Sequence, residues 1–493
     1  MNNQPKHLAR KLGIFALAAT GICSMLGASI NVVPFMIQKS VPGIGPYVLP
    51  AFLFAAIPAL LAAFAYGCLA SAMPRAGGSY IYASRGLNPY LGFIASFSQW
   101  FGLSIVIGVI AYIIVPFFRD IFLQVGWGEL ATNLENGWIR TSLALLMVWF
   151  FVFINVKGAK FYERTVIPLM IIMFALGAIV IVSGFVFSQK EFIDAVKASG
   201  QEITVQESLD FNWLHFFSAS ALLFSSFIGF DAIAQAGGEA KNPNRTLPKA
   251  ILLAILIVGG FYFLFTAAVY NTVPWSFVAS ESLVKDISAP GLMGYVLPQS
   301  FAIAILIGAA IALINDLPAM LLSVSRLVFA WAEDGIFPKK AALIHHKHQT
   351  PHIALYVSGA MASLGVLGSH FAGDFFLGID IMVTSMMVNF LLMCVTLIGI
   401  QKVNPTIAKD ITMIKSMVMR KGLGITGVIF LVGFLTIHLW KDQNADVSAW
   451  YFHSTPIWVI VMIIGSIIYF SKIQVLKKAG IDTKALFKKL PLE

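Results

Sequence analysis

This chain is poor in charge. Only 11% of its 493 residues are Asp, Glu, Lys or Arg, against about a quarter in soluble domains, which excludes a water-facing surface over most of its area. Cysteine is scarce as well. Cys23, Cys68 and Cys394 all lie inside apolar runs, so they read as small buried hydrophobes, with neither a disulfide framework nor a metal site expected. Absent too are H-E-x-x-H, G-x-S-x-G and any cluster that combines His with Cys ligands, which argues against a membrane enzyme. The lack of G-x-x-x-x-G-K-[ST] argues against an ATP-driven pump. No cofactor is expected.

What the chain has is apolar sequence from end to end: 58% of residues are hydrophobic and the mean hydropathy is +0.84. At about 20 apolar residues per crossing, twelve candidate spans fall near 14–38, 46–72, 90–118, 141–156, 165–187, 215–237, 249–273, 298–325, 352–369, 375–400, 423–440 and 456–471. The reading is an all-α membrane protein with one transmembrane domain and a tail over 472–493. The net charge of +10 is spread over short segments between spans, where lipid phosphates and topology explain it and nucleic acid does not. With the N-terminus inside the cell, 26 of the 33 Lys and Arg fall on inner segments and 7 on outer ones; 13 acids lie outside, 7 inside and 3 within spans. Both termini are therefore expected in the cytoplasm of a multi-pass cell-membrane protein. The outer stretch from Ser188 to Trp213 reads as a surface loop with a short helix. His215, His352 and His438 read as interfacial.

Two spans carry poor helix formers near their middles. In "SMLGASINVVP", Gly27, Ala28, Ser29 and Asn31 precede Pro34; in "FSSFIGFDAIAQAGGE", Ser225, Ser226 and Gly229 precede Asp231. Every backbone polar group in hydrocarbon needs a partner, so a helix is interrupted only where protein or a polar cavity surrounds it. Taken alone, Gly27 and Ser29 fit close helix packing as well as a break. The second interruption, five spans later, favours breaks: paired interruptions mark an inverted-repeat transporter whose site lies at the membrane midplane. Spans one to five (14–187) and six to ten (215–400) would be the two repeats, with two further helices over 423–471. An unwound turn also offers amide N–H groups at the start of the next half-helix, a place suited to a carboxylate.

Three stretches resemble the amino acid/polyamine/organocation transporter superfamily: "MPRAGGSYIYASRGLNPYLGF" from Met73, "FIGFDAIAQAGGEAKNPNRTLPKAI" from Phe227, and "SRLVFAWAEDGIFPK" from Ser325, followed by "TPHIAL". That resemblance implies the five-plus-five inverted fold of leucine-type symporters, with broken first and sixth helices. It implies a secondary transporter of amino acids or related amines working by alternating access, as a proton symporter or an exchanger, with polyamines or other organocations as the alternative cargo. The family's first-span G-S-G-I, whose amides hold the cargo carboxylate, maps onto Gly27, Ala28, Ser29 and Ile30. The sixth-span break maps onto Phe224, Ser225, Phe227 and Ile228. The departures are Ser29 for the second glycine, Asn31 where Phe is usual, and Ser225 where an aromatic gate often stands. The fifth-span lysine of some relatives is missing near Met170, which disfavours lysine-type coupling, and Cys68 replaces the second span's usual Glu.

Three acids remain inside spans, where a carboxylate costs several kcal/mol unless paired, protonated or wetted. Asp231, at the sixth break, is the first candidate for proton coupling or gating. Asp316 is the second: it faces the pocket to bind a cationic group or titrate, or else bonds to Asn315 or backbone. Asp380 is the weakest. Arg75, Glu239, Arg245 and Arg326 read as topology anchors, or as inner-gate ion pairs if they act at all.

Overall fold

The first span does not cross as one helix. The computed structural model describes residues 8, 10–201, 203, 206, 208–372, 376–447 and 449–491, without the side chains of 28, 29, 372 and 376. In it Ile14–Met25 ends after 12 residues, about 18 Å of helix against a hydrocarbon core of about 30 Å. The chain bends at Leu26 and Gly27, then turns helical again over Ala28–Asn31 and Val33–Ser40. The sixth span is interrupted as well. Trp213–Leu223 tightens into a 3-10 turn over Phe224–Phe227, runs extended at Ile228, and passes Gly229 at φ 134°. It resumes over Ala232–Gln235 and ends in the turn Gly237–Glu239.

Eleven helices among the described residues are long and apolar enough to cross a membrane, and the broken first span brings the crossings to twelve. The intact spans are Val48–Ala72, Pro89–Val125, Gly137–Val156, Ala159–Val186, Pro243–Thr272, Gln299–Glu333, His352–Ala372, Phe376–Val403, Met417–Gln443 and Ser454–Lys478. Several start on side-chain caps: Asn88 accepts from the amides of Tyr90 and Leu91 ahead of Pro89, and Asn212 accepts from Leu214 and His215 at the sixth span. These caps satisfy amides that a helix start leaves open. The stretch after Ser188 folds into Gln189–Ala198, closed by a Ser188–Glu191 capping box. Two short helices over Trp275–Val284 and Ala289–Met293 follow the seventh span.

The most apolar windows of the third and tenth spans are 72% buried by protein, those of the fifth and twelfth 22%, so the former pair is central and the latter pair faces outward. Neighbours recur at an offset of five. The third span packs on the ninth and tenth as the eighth packs on the fourth and fifth, and the first packs on the seventh as the sixth packs on the second. Both ends of the chain meet one face of this bundle. Leu12 exchanges backbone hydrogen bonds with Glu239 and Lys241, both 2.9 Å; the carbonyls of Lys488, Lys489 and Pro491 accept from Asn404, Arg85 and Arg75. This is called the termini face below, and its opposite the far face.

Candidate functional site

The two breaks touch through their backbones. A Cβ on Gly229 would run into the Ser24 carbonyl and come within 2.9 Å of the Met25 amide; with φ also in a region that L side chains avoid, glycine is the residue that fits. Unwinding frees carbonyls, and one of them is met from the seventh span: Tyr262 donates to Met25 O at 2.5 Å. At the sixth break Asp231 is fully buried. Its Oδ1 accepts from Gly229 N at 3.2 Å and its Oδ2 from Gln99 Nε2, so the carboxylate pins the non-helical turn and binds it to the third span.

From Gln99 a buried hydrogen-bond chain runs toward the termini face. Gln235 Nε2 donates to Gln99 Oε1 at 3.3 Å and to Ser79 Oγ at 2.6 Å; Ser79 Oγ and the Tyr66 hydroxyl lie 2.7 Å apart, and Asn389 Nδ2 donates to that hydroxyl at 2.6 Å. Spans two, three, six and ten and the helix Gly78–Gly86 are tied by one network. Below it sit two ion pairs. Arg326 meets Glu239 through three bonds of 2.8 to 3.2 Å, with both side chains at most 2% exposed. Arg85 grips Asp334 at 2.6 and 2.8 Å. Bidentate guanidinium–carboxylate contacts of this kind are strong and geometrically exacting. Arg245 is exposed, and Arg75 bonds to backbone carbonyls.

Between the breaks lies a small cavity of about 30 Å³, room for roughly one water. Its walls come from spans one, three, six, eight and ten: Ser24, Ser225, Ile228 and Asp316 beside the aliphatic side chains of the third span, Met320 and Met382. Val33, Ser225 and Ile379 also border a second cavity of about 260 Å³ toward the far face, where Lys39, Asp380 and Lys441 stand at the wall. Among the described residues no aromatic ring lines either cavity.

Asp316 is 3% exposed, and its Oδ1 has no hydrogen-bond partner among the described residues. Its Oδ2 occupies the space that a Cβ on Gly27 would need. Its neighbour is engaged elsewhere: Asn315 Nδ2 donates to Val166 O and Cys23 Sγ, both at 3.0 Å. The eighth span therefore braces spans one and five with one residue and presents a carboxylate to the first break with the next.

The structure brings together Gly27, Ser225, Ile228 and Asp316. The side chains of Ala28 and Ser29 lie outside the described residues. Ile30 faces a different small cavity, shared with Asn31 and residues of spans five, seven and eight. Phe224 packs on Phe390 and Phe434, and Phe227 on Phe52 and Tyr262, so neither ring lines the cavity. His438 is 3% exposed, and its Nε2 lies 3.1 Å from Thr384 Oγ1 and 3.3 Å from Asp380 O. Ser24, Gln99, Gln235 and the Arg85–Asp334 pair were not anticipated. Gln99 and Gln235, amides within apolar stretches, carried the same polar-in-span signal as the acids.

Residues 12–467 match a family model described as amino acid permease. The chain is 25% identical over 378 residues to the branched-chain amino acid permease BcaP of Bacillus subtilis, covering 74% of this chain and 75% of that protein. It is 27% identical over 319 residues to the low-affinity putrescine importer PlaP of Escherichia coli K12, covering 64% and 66%. It is 27% identical over 373 residues to the cationic amino acid transporter 4 of Mus musculus, covering 72% and 55%.

Proposed function

The chain belongs to the amino acid permease family, and from that premise we propose that it is a secondary transporter that binds its cargo between the broken first and sixth spans and carries it by alternating access. That it moves amino acids or amines, and is not an enzyme, follows from the family and the named relatives. The observation that carries the finer reading is the backbone contact between the two breaks, beside a carboxylate-bearing cavity that borders a larger one toward the far face. Half-helix ends at that depth are what a polar cargo needs in a hydrocarbon environment.

On this reading residues 14–187 and 215–400 are the two repeats, which rock against each other, and the recurrence of helix neighbours at an offset of five supports that division. The excess of Lys and Arg on the termini face makes that face cytoplasmic in the cell membrane. The far cavity then opens outward, and the ion pairs and hydrogen-bond chain hold the cytoplasmic side shut. Asp231 links the site to that closure, so proton coupling or gating is its assigned role, with a proton or a counter-substrate as the partner in transport. The test is reconstitution in liposomes with radiolabelled amino acids and polyamines, with and without a proton gradient and internal substrate. Saturable uptake is expected, driven by one of the two; no uptake of any compound under any gradient would overturn the proposal.

A further inference from the structure

We infer that the cargo is a small amine cation without a carboxylate, its ammonium group received by Asp316. This deepens the transporter reading and rests on it. The place at the first break where an amino acid would set its carboxylate is faced by the protein's own: Asp316 Oδ2 lies against Gly27, and its Oδ1 is buried and unpartnered among the described residues. Among the described residues no Lys, Arg or His lines the inner cavity, and Asp316 is its only ionisable residue. With Asp316 ionised, a zwitterion there would bring two carboxylates together in a medium that screens them poorly. An alkylammonium ion, charged at neutral pH like a lysine side chain, would instead supply donors to this open carboxylate.

The remaining walls describe the rest of the ligand. Val106, Val109, Ile110, Ile113, Met320 and Met382 offer hydrocarbon and no second charge, so the body of the cargo is apolar and short. Ser24 and Ser225 are the other polar residues of the wall, and a serine hydroxyl can accept from an ammonium's three donors alongside Asp316. The cavity at about 30 Å³ is smaller than such a molecule, so entry moves the aliphatic side chains that separate it from the far cavity.

Leucine and isopentylamine differ only by the carboxylate, as do valine and isobutylamine, and these pairs make the experiment. Binding to the purified full-length protein is measured by calorimetry, and uptake by the same protein in liposomes. Isopentylamine is expected to bind at least tenfold tighter than leucine, and Asp316→Asn to weaken the amine at least tenfold while leaving leucine unchanged or improved. Leucine binding as tightly as isopentylamine, or an unaltered amine affinity in a folded Asp316→Asn protein, would overturn the assignment. Should that variant fail to fold, the two matched pairs on the unaltered protein decide alone. Uptake of amino acids with exclusion of both amines would sink this inference and leave the transporter reading standing. Uptake of nothing in a wider panel would sink both.

Discussion

The two closures on either side of the central cavity are built from opposite materials. Toward the termini, Arg326–Glu239, Arg85–Asp334 and the chain from Asp231 to Asn389 join spans that are distant in sequence through directed polar bonds. Toward the far face the inner cavity is separated from the larger one by Val33, Ile379 and Ser225, and the ion pair beyond, Lys39–Asp286 at 3.9 Å, has side chains 45% and 65% exposed. Exposed pairs are worth about 0–1 kcal/mol, whereas losing one partner of a buried pair costs about 3–5 kcal/mol. The conformation is thus bolted on one side and merely filled on the other. On the alternating-access mechanism proposed above, this arrangement would open first toward the far face.

The sharpest way to break that contrast is to remove one partner of the bolt. Glu239→Gln leaves Arg326 buried without its counter-charge and is expected to destabilise the protein by about 3–5 kcal/mol, read as a lowered melting temperature in detergent. The double variant Glu239→Leu with Arg326→Met leaves no uncompensated charge and should melt closer to the unaltered protein. A double variant that melts no higher than the Glu239→Gln protein would show that the loss comes from packing and not from an unpaired buried charge.

Next in size is Gly27→Leu, which places a side chain where Asp316 Oδ2 already sits. Overpacking of this kind costs about 1–3 kcal/mol, so the protein should still insert in the membrane while uptake is lost. Normal uptake would remove the first break from the binding site.

How far these elements were legible in the sequence depends on whether their physics is local. Both breaks could be read because glycine, serine and proline act on the residues beside them; Gly229, Gly27 and Pro34 stand in or next to the interruptions. The spans could be read because hydrocarbon imposes a length. The bolt was only half legible. Arg326 and Glu239 were singled out from the sequence, but Arg85 and Asp334 are 249 residues apart, and nothing local to "YASRGL" or "AEDGIF" says that they meet. Rotation about a helix axis was hidden as well: Phe224 and Phe227 belong to the right turn yet point to Phe390 and Phe52. Asp316 was named among the acids, but only tertiary packing places it on Gly27.

Asp231→Asn sharpens the comparison at the junction between site and bolt. The carboxylate accepts with both oxygens, from Gly229 N and Gln99 Nε2, whereas the amide has one acceptor. One bond is lost, or Gln99 flips and surrenders its contact with Gln235, at about 1–3 kcal/mol for the group left unsatisfied. If Asp231 exchanges the coupling proton, the variant's uptake will also lose the pH dependence of the unaltered protein in the range where that carboxyl titrates. An unchanged pH profile would confine Asp231 to pinning the turn.

The smallest expected effect falls on the far closure. Ile379→Val removes one methylene from a residue shared by both cavities, at about 0.5–1.5 kcal/mol, with little change in melting temperature. Its consequence should appear in access. With Ser225→Cys as a reporter bordering both cavities, a membrane-impermeant thiol reagent added from the far face is expected to label the Ile379→Val protein several-fold faster than the protein with Ile379 intact. Added from the termini face it should label both proteins equally slowly, because the bolt is untouched. Equal acceleration from both faces would mean that the aliphatic residues hold the whole bundle and not one side of it, and the asymmetry between filled and bolted closures would have to be abandoned.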